Sequence, residues 1–242
     1  MGRRLEPGHA LSASSSGGRS LPSVLRLVPE EALARLRALR PLGLGAVVGT
    51  DEAGRGPLAG PVVAAAVSLT PDQEDALSSL GLRDSKKLTP ARRERLFTAM
   101  ADLGVLWRAQ AASVARIDRE NISQASLWAM ERSVIRLRPS LPREPECVVV
   151  DGILAVPGLP FSQLPLTAAD DLVPAVSAAS VVAKVLRDRV MTVLDRLWPD
   201  YGFARHKGYP TVAHREAVRR FGLSPVHRRS FCKGFLSVKK DD

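Results

Sequence analysis

Cysteine is scarce. The 242-residue chain has two, Cys147 and Cys232, with no metal-type spacing between them, so both read as reduced thiols of a cytosolic protein and neither as a nucleophile. Long apolar runs are missing as well: nothing approaches the ~20 uncharged residues needed to cross a bilayer. No charged-apolar-small leader opens the chain, and a soluble, cytoplasmic protein is expected. A phosphate-binding Gly-Lys-Ser/Thr loop is also absent. Gly43, Gly45 and Gly49 precede an apolar run instead of joining a strand to a helix, which excludes a dinucleotide-binding reading.

Acid is what the last third lacks. Residues 184–240 hold 14 Lys or Arg against 4 Asp or Glu, a surplus equal to the net charge of +10 on the whole chain. A basic third beside an acidic centre suits a polyanion whose backbone is gripped while chemistry is done on it. By charge alone, nucleic acid and anionic membrane are both open. No amphipathic lipid-binding helix stands out there to favour membrane.

What is present centres on residues 47–61, Val-Val-Gly-Thr-Asp-Glu-Ala-Gly-Arg-Gly-Pro-Leu-Ala-Gly-Pro. An apolar run ends in two adjacent carboxylates, a Gly-Arg-Gly turn follows, and a Val- and Ala-rich run at 62–69 predicts a second strand. Successive strand side chains point to opposite faces, so Asp51 and Glu52 can share one site only if the backbone bends or bulges at Glu52. The glycines permit such a bend. Two carboxylates held close need a cation between them, which makes a divalent metal the natural third party. A solvated acidic loop is the alternative.

Residues 1–29 contain four arginines, a serine run, several glycines and one acid, and they are expected to form a disordered basic extension, with an organelle transit peptide as the alternative. A short helix is predicted near Pro29 to Leu39, a helix capped by Thr89 with Pro90 in its first turn, a strand at 105–112, and a helix from Asn121 to about Leu137. Cys147 to Val150 suits a strand buried on both faces and ends at Asp151, where open α/β sheets place their chemistry. Asp170 and Asp171 precede a long helix at about 173–197; Asp170 reads as its N-cap, as a metal ligand, or as both. Residues 201–210 mix aromatics with His206 and Lys207 and could grip phosphate and offer a ring to a sugar, although Tyr209 could equally pack in a core. Thr211 caps a last helix to Phe221. Three early strands, then helices alternating with a later strand, indicate an α/β fold.

Several of these segments together resemble one family. The Asp-Glu-Ala-Gly-Arg-Gly-Pro-Leu motif, Asp84-Ser85-Lys86-Lys87-Leu88, Val149-Val150-Asp151-Gly152, Ser177-Ala178-Ala179-Ser180 through Lys184, Tyr201-Gly202-Phe203, His206-Lys207-Gly208-Tyr209-Pro210 and His227-Arg228-Arg229-Ser230-Phe231 occur in the order and spacing of ribonuclease HII, the type 2 ribonuclease H family. The resemblance implies a ribonuclease H-like mixed sheet flanked by helices with a C-terminal helical part, over residues 30–242. It implies that Asp51, Glu52, Asp151 and Asp170 hold two Mg²⁺ or Mn²⁺ ions. It further implies cleavage of RNA in RNA–DNA hybrids, and cleavage 5′ of single ribonucleotides in duplex DNA to leave 5′-phosphate and 3′-hydroxyl ends. Gly54, Arg55 and Gly56 would approach the 2′-hydroxyl, Tyr209 the junction sugar, and Lys86 and Lys207 the substrate. The family usually has Gly where Ala169 stands, so choosing Asp170 over Asp171 rests on the downstream Val173-Pro174 register. A monomer is expected. The rivals are ribonuclease HIII, against which Arg55 and the short start argue, and a non-catalytic nucleic-acid-binding module, against which the full set of carboxylates argues.

Overall fold

The strands run in the order β3-β2-β1-β4-β5, and residue choice explains the centre of that order. The computed structural model describes residues 23–82 and 88–236. β2 (Val62–Ser68) is buried along its whole length, and β4 (Cys147–Asp151) is buried until its final carboxylate. Such runs of Val, Ala and Cys without polar alternation fit strands covered on both faces. β1 (Val47–Ala53) lies between them, antiparallel to β2 and parallel to β4. β3 (Leu106–Ala112) and β5 (Gln163–Leu166) complete the mixed sheet.

Helices cover both faces. They are α1 (Pro29–Leu39), α2 (Pro71–Ser79), α3 (Pro90–Asp102), α4 (Val114–Glu120), α5 (Ile122–Leu137), α6 (Ala169–Leu172), α7 (Pro174–Leu197), α8 (Phe203–His206), α9 (Val212–Phe221) and α10 (Lys233–Leu236). Val48, Ala64, Ala66, Val148 and Val150 pack with α5 on one face, whereas Ala65 and Val67 pack with Ala175, Ala178 and Ala179 of α7 on the other. Thr89, Asn121 and Thr211 accept the N3 amide of α3, α5 and α9, the caps expected from sequence. Among the described residues no helix is long and apolar enough to cross a membrane.

One boundary differs from the expectation. Residues 23–28, assigned from sequence to the disordered extension, run beside β5: Gln163 N–H donates to the Ser23 carbonyl and Leu25 N–H to the Gln163 carbonyl, both at 2.8 Å. Leu25 and Leu27 pack with the cluster under α1. The physical reason is the open edge of β5, whose unpaired backbone groups recruit the nearest extended chain.

The C-terminal helical part is held by a chain of imidazoles. Ser224 N–H donates to His227 Nδ1 at 2.9 Å, so the His227 proton sits on Nε2 and is donated to His214 Nε2 at 3.0 Å. His214 then donates from Nδ1 to the Tyr209 carbonyl at 2.9 Å. His206 accepts from Gly208 N–H at Nδ1 and donates from Nε2 to the Tyr201 carbonyl. Each ring has one accepting nitrogen, His227 Nδ1, His214 Nε2 and His206 Nδ1, and that bond requires a neutral ring. Burial pushes all three imidazoles down, with His227 reaching about 4 through burial and then His214.

A folded-state pKa below the unfolded value of about 6.5 means that the unfolded chain binds the proton first. The stabilisation is therefore complete above about pH 6.5 and is lost as pH falls toward 4, worth about 3 kcal/mol for His227 at 1.36 kcal/mol per unit. Between pH 7 and 4.5 the wild-type melting temperature should fall further than that of His227→Asn, which takes up no proton. Equal falls in the two proteins would remove His227 from the acid response.

Candidate active site

Parallel pairing of β1 with β4 sets Thr50 opposite Val150, and the next residues in that register are Asp51 and Asp151. Alternation puts both on the face that carries α7. The helix lies along β1: Ala175 and Val176 sit over Gly49, Ser180 bonds the Asp51 carboxylate, and the Arg187 side chain runs under Gly54. α6, one turn ahead of α7, brings Asp170 to the same place. One carboxylate oxygen from each of Asp51, Asp151 and Asp170 lies within 4.8 Å of the other two.

Local structure explains each placement. The Asp151 carboxylate accepts the Ala169 N–H at 2.8 Å and so ties the end of β4 to the start of α6. Ser177 on α7 donates to the Asp170 carbonyl. Asp170 is thus the second residue of a short turn and not the N-cap of the long helix, a position held by Val173. Asp170 is 2% exposed whereas Asp171 is exposed, so the inward carboxylate of the pair is Asp170.

Glu52 reaches the site differently from the expectation. β1 keeps one-to-one pairing with β2 through Ala53, with no bulge at Glu52. Because the strand stays regular, Glu52 leaves on the other face and accepts from Arg55 Nη1 at 3.1 Å, while still lining the same cleft.

That cleft has a volume of about 540 Å³, and its lining includes Asp51, Glu52 and Asp151 together with Gly54, Arg55, Gly56 and Tyr209. Tyr209 is 43% exposed, and its Cε1 lies 3.8 Å from where a Cβ on Gly56 would stand. It is a cleft residue, not a core one. Lys207 does not join them: its Nζ donates to Thr192 Oγ1 at 3.1 Å, and it borders a separate depression with Glu94 and Arg189. Lys86 lies outside the described residues.

The electrostatics fit a cation. Burial, then Glu52 and Asp151, hold the Asp51 carboxyl well above its usual range. Burial raises Glu52 in spite of Arg55. Acid oxygens this close and this desolvated repel until positive charge arrives, and oxygen-only donors match a hard divalent ion.

Sequence reasoning assigned no role to Ser180 and Lys184, which line the cleft, or to the two arginines beneath it. Arg187 and Arg228 are both fully buried. Burial lowers both, Arg228 to about 9 with help from Arg187. A Ser-x-x-x-Lys pair on one helix face was the available signal for the first two; Arg228 stood only within the His227-to-Phe231 motif and Arg187 as one more charge of the basic third.

A family model described as Ribonuclease HII matches residues 48–234. The chain belongs to the ribonuclease HII family. It is 48% identical over 185 residues to a ribonuclease HII of Marinomonas sp. (strain MWYL1), covering 76% of this chain and 89% of that one. A ribonuclease HII of Moorella thermoacetica is 46% identical over 195 residues, covering 81% and 90%. The crystal structure of ribonuclease H2 from Pyrococcus horikoshii OT3 superposes with a TM-score of 0.63 at 26% identity, over 79% of this chain and 99% of that one. The family and these likenesses make the chain a metal-dependent endoribonuclease of the ribonuclease H type, acting on RNA–DNA hybrids.

Proposed function

We propose that the chain also removes single ribonucleotides from duplex DNA, cutting on the 5′ side of the ribonucleotide and leaving 5′-phosphate and 3′-hydroxyl ends. The observation that carries this reading is a single cleft lined both by carboxylates of the acidic cluster and by the Gly54-Arg55-Gly56 loop and the Tyr209 ring. Asp51, Asp151 and Asp170, with Glu52 at the rim, would hold two divalent ions, Mg²⁺ or Mn²⁺. When bound, such ions supply an activated water and charge to stabilise the leaving 3′ oxygen in an in-line displacement at phosphorus.

The protein's own groups do the recognition. Every phosphate looks alike to acid and metal, so selection of ribose falls to the 2′-hydroxyl, within reach of the backbone of residues 54–56. The Tyr209 ring beside Gly56 suits the deoxyribose that follows. Exposed Arg215, Arg219 and Arg220 on α9 extend a basic face that fits the flanking duplex. In this reading residues 30–242 are a catalytic domain that works as a cytoplasmic monomer in DNA repair, with an N-terminal extension outside it.

The deciding assay is cleavage of duplex DNA holding one ribonucleotide, with and without Mg²⁺. A protein that cuts continuous hybrid but never the single ribonucleotide would refute the proposal. Tyr209→Ala should lower single-ribonucleotide cleavage by about tenfold or more while affinity for all-DNA duplex changes little, since a lost sugar contact leaves the phosphate contacts in place. A parallel fall in cleavage of both substrates and in melting temperature would instead mark a packing role.

A further inference from the structure

Arg228 spends its whole guanidinium on main chain. Nε donates to the Gly60 carbonyl at 3.0 Å, Nη1 to Arg55 at 2.8 Å and Nη2 to Gly54 at 2.6 Å. The side chain is 0% exposed. Asp118, the acid that acts on it through space, is itself occupied by the Arg229 and Ser230 N–H groups. Burying a cation on carbonyls is costly unless its nitrogens are satisfied, and here each of the three nitrogens has a carbonyl.

The geometry has a directional result. A trans peptide is planar, with its C=O and N–H pointing opposite ways, and no cis bond occurs among the described residues. Pulling the Gly54 carbonyl down onto Nη2 therefore points the Arg55 N–H up, and pulling the Arg55 carbonyl onto Nη1 does the same for the Gly56 N–H. Up is the cleft, which residues 54–56 line and Arg228 does not. Neither N–H donates to an acceptor among the described residues. A glycine-flanked loop would otherwise sample other peptide orientations cheaply, and Gly54 sits at φ +100° over the Arg187 side chain, so close that a Cβ would lie 1.9 Å from Nε. A planar fork holds two consecutive carbonyls at fixed angles, whereas the three donors of an ammonium rotate and fix neither peptide plane.

We propose that Arg228 is a positioning residue for ribose recognition, locking the 54–56 peptide planes so that the Arg55 and Gly56 N–H groups donate to the 2′-oxygen of the ribonucleotide. This rests on the reading that the loop meets the ribose. Arg228 touches no substrate; it acts through the loop, and its effect is on selectivity.

The test compares Arg228→Lys and Arg228→Gln with wild type on two duplexes that differ by a single 2′-hydroxyl, measuring affinity of each in chelator, single-turnover cleavage in Mg²⁺, and melting temperature. The expected result is a fall of about tenfold or more in the ribose-to-deoxyribose affinity ratio and of about 100-fold in cleavage rate, with all-DNA affinity held within about twofold for Arg228→Lys. Because lysine keeps the charge and the stem, its failure to restore the ratio assigns the effect to the fork. If Arg228→Gln does not fold, Arg228→Lys alone decides. A wild-type ratio in Arg228→Lys, or a loss of both affinities in proportion with melting temperature, overturns the proposal. A wild-type protein with no preference for the ribonucleotide fails earlier and sinks the reading beneath it.

Discussion

Asp51→Asn and Asp151→Asn should each reduce cleavage by about 10³-fold or more, because each removes a negative ligand from a site where a divalent ion contributes several kcal/mol to the transition state. Affinity for duplex should stay within about twofold, since a carboxylate is not itself a phosphate contact and the Lys and Arg contacts remain. Stability gives a second signature. The Asp51 carboxyl is raised well above its usual range by burial, Glu52 and Asp151. A raised folded-state pKa means that ionisation weakens the fold at neutral pH. The neutral asparagine relieves that repulsion, so metal-free Asp51→Asn should melt at or above the wild-type temperature. Dead catalysis in a protein at least as stable is what a functional carboxylate produces; a structural one loses both. Asp170→Asn should likewise cost cleavage heavily, and the exposed Asp171→Asn should be mild. Wild-type cleavage in Asp51→Asn or Asp151→Asn, or a reversed order for the Asp170 and Asp171 pair, would overturn the assignment of the cluster.

The parts of this site written in local pattern were legible before the fold was. Asp51 and Asp151 end apolar runs, and a carboxylate at the end of a buried strand is visible without knowing its neighbours. Thr89, Asn121 and Thr211 announced three helices because a cap acts within three residues. α2 and α4 carried equally local signals, Thr70 with Gln73 in a capping box and Ser113 accepting from Arg116, and a closer reading of those caps would have found both.

What stayed illegible depends on distant partners. Whether Glu52 bulges is decided by its pairing with Ala64. Lys207 points away from the carboxylates because Thr192 and the Asp188 carbonyl are closer partners. β5 is four residues long with a proline, and an element that short carries almost no periodicity of its own. Arg187 and Arg228 are the clearest cases. In sequence they are two charges in a basic third; in the fold they hold five carbonyls between residues 54 and 61 and another at Lys207. The partners between residues 54 and 61 lie more than a hundred residues away.

Gly49→Ala should be among the most damaging added methyls in the described chain. A Cβ there would stand 2.4 Å from Ala175 C and from Val176 N, both backbone atoms, so no side chain can swing aside. To reach an ordinary 3.4 Å contact, α7 must retreat from β1 by about 1 Å. The helix cannot tilt away freely, because Ala178, Ala179 and Val182 are packed with Ala65 and Val67 of the same sheet. Overpacking of this kind costs about 3 kcal/mol, which for a chain of this size lowers the melting temperature by about 10 °C. The catalytic consequence follows from what α7 carries: Ser180 against Asp51, Ser177 against the Asp170 carbonyl, and Arg187 beneath Gly54. A shift of about 1 Å in that helix separates the carboxylates from the loop they face, and misplacement on that scale can cost about 100-fold in rate. Gly56→Ala is the comparison for stability, since its added methyl meets only the Tyr209 ring edge at 3.8 Å and its melting temperature should barely move. A Gly49→Ala protein that melts and cleaves like wild type would show that α7 can yield at its first turn without disturbing Asp51, and that the helix does not set the geometry of the site.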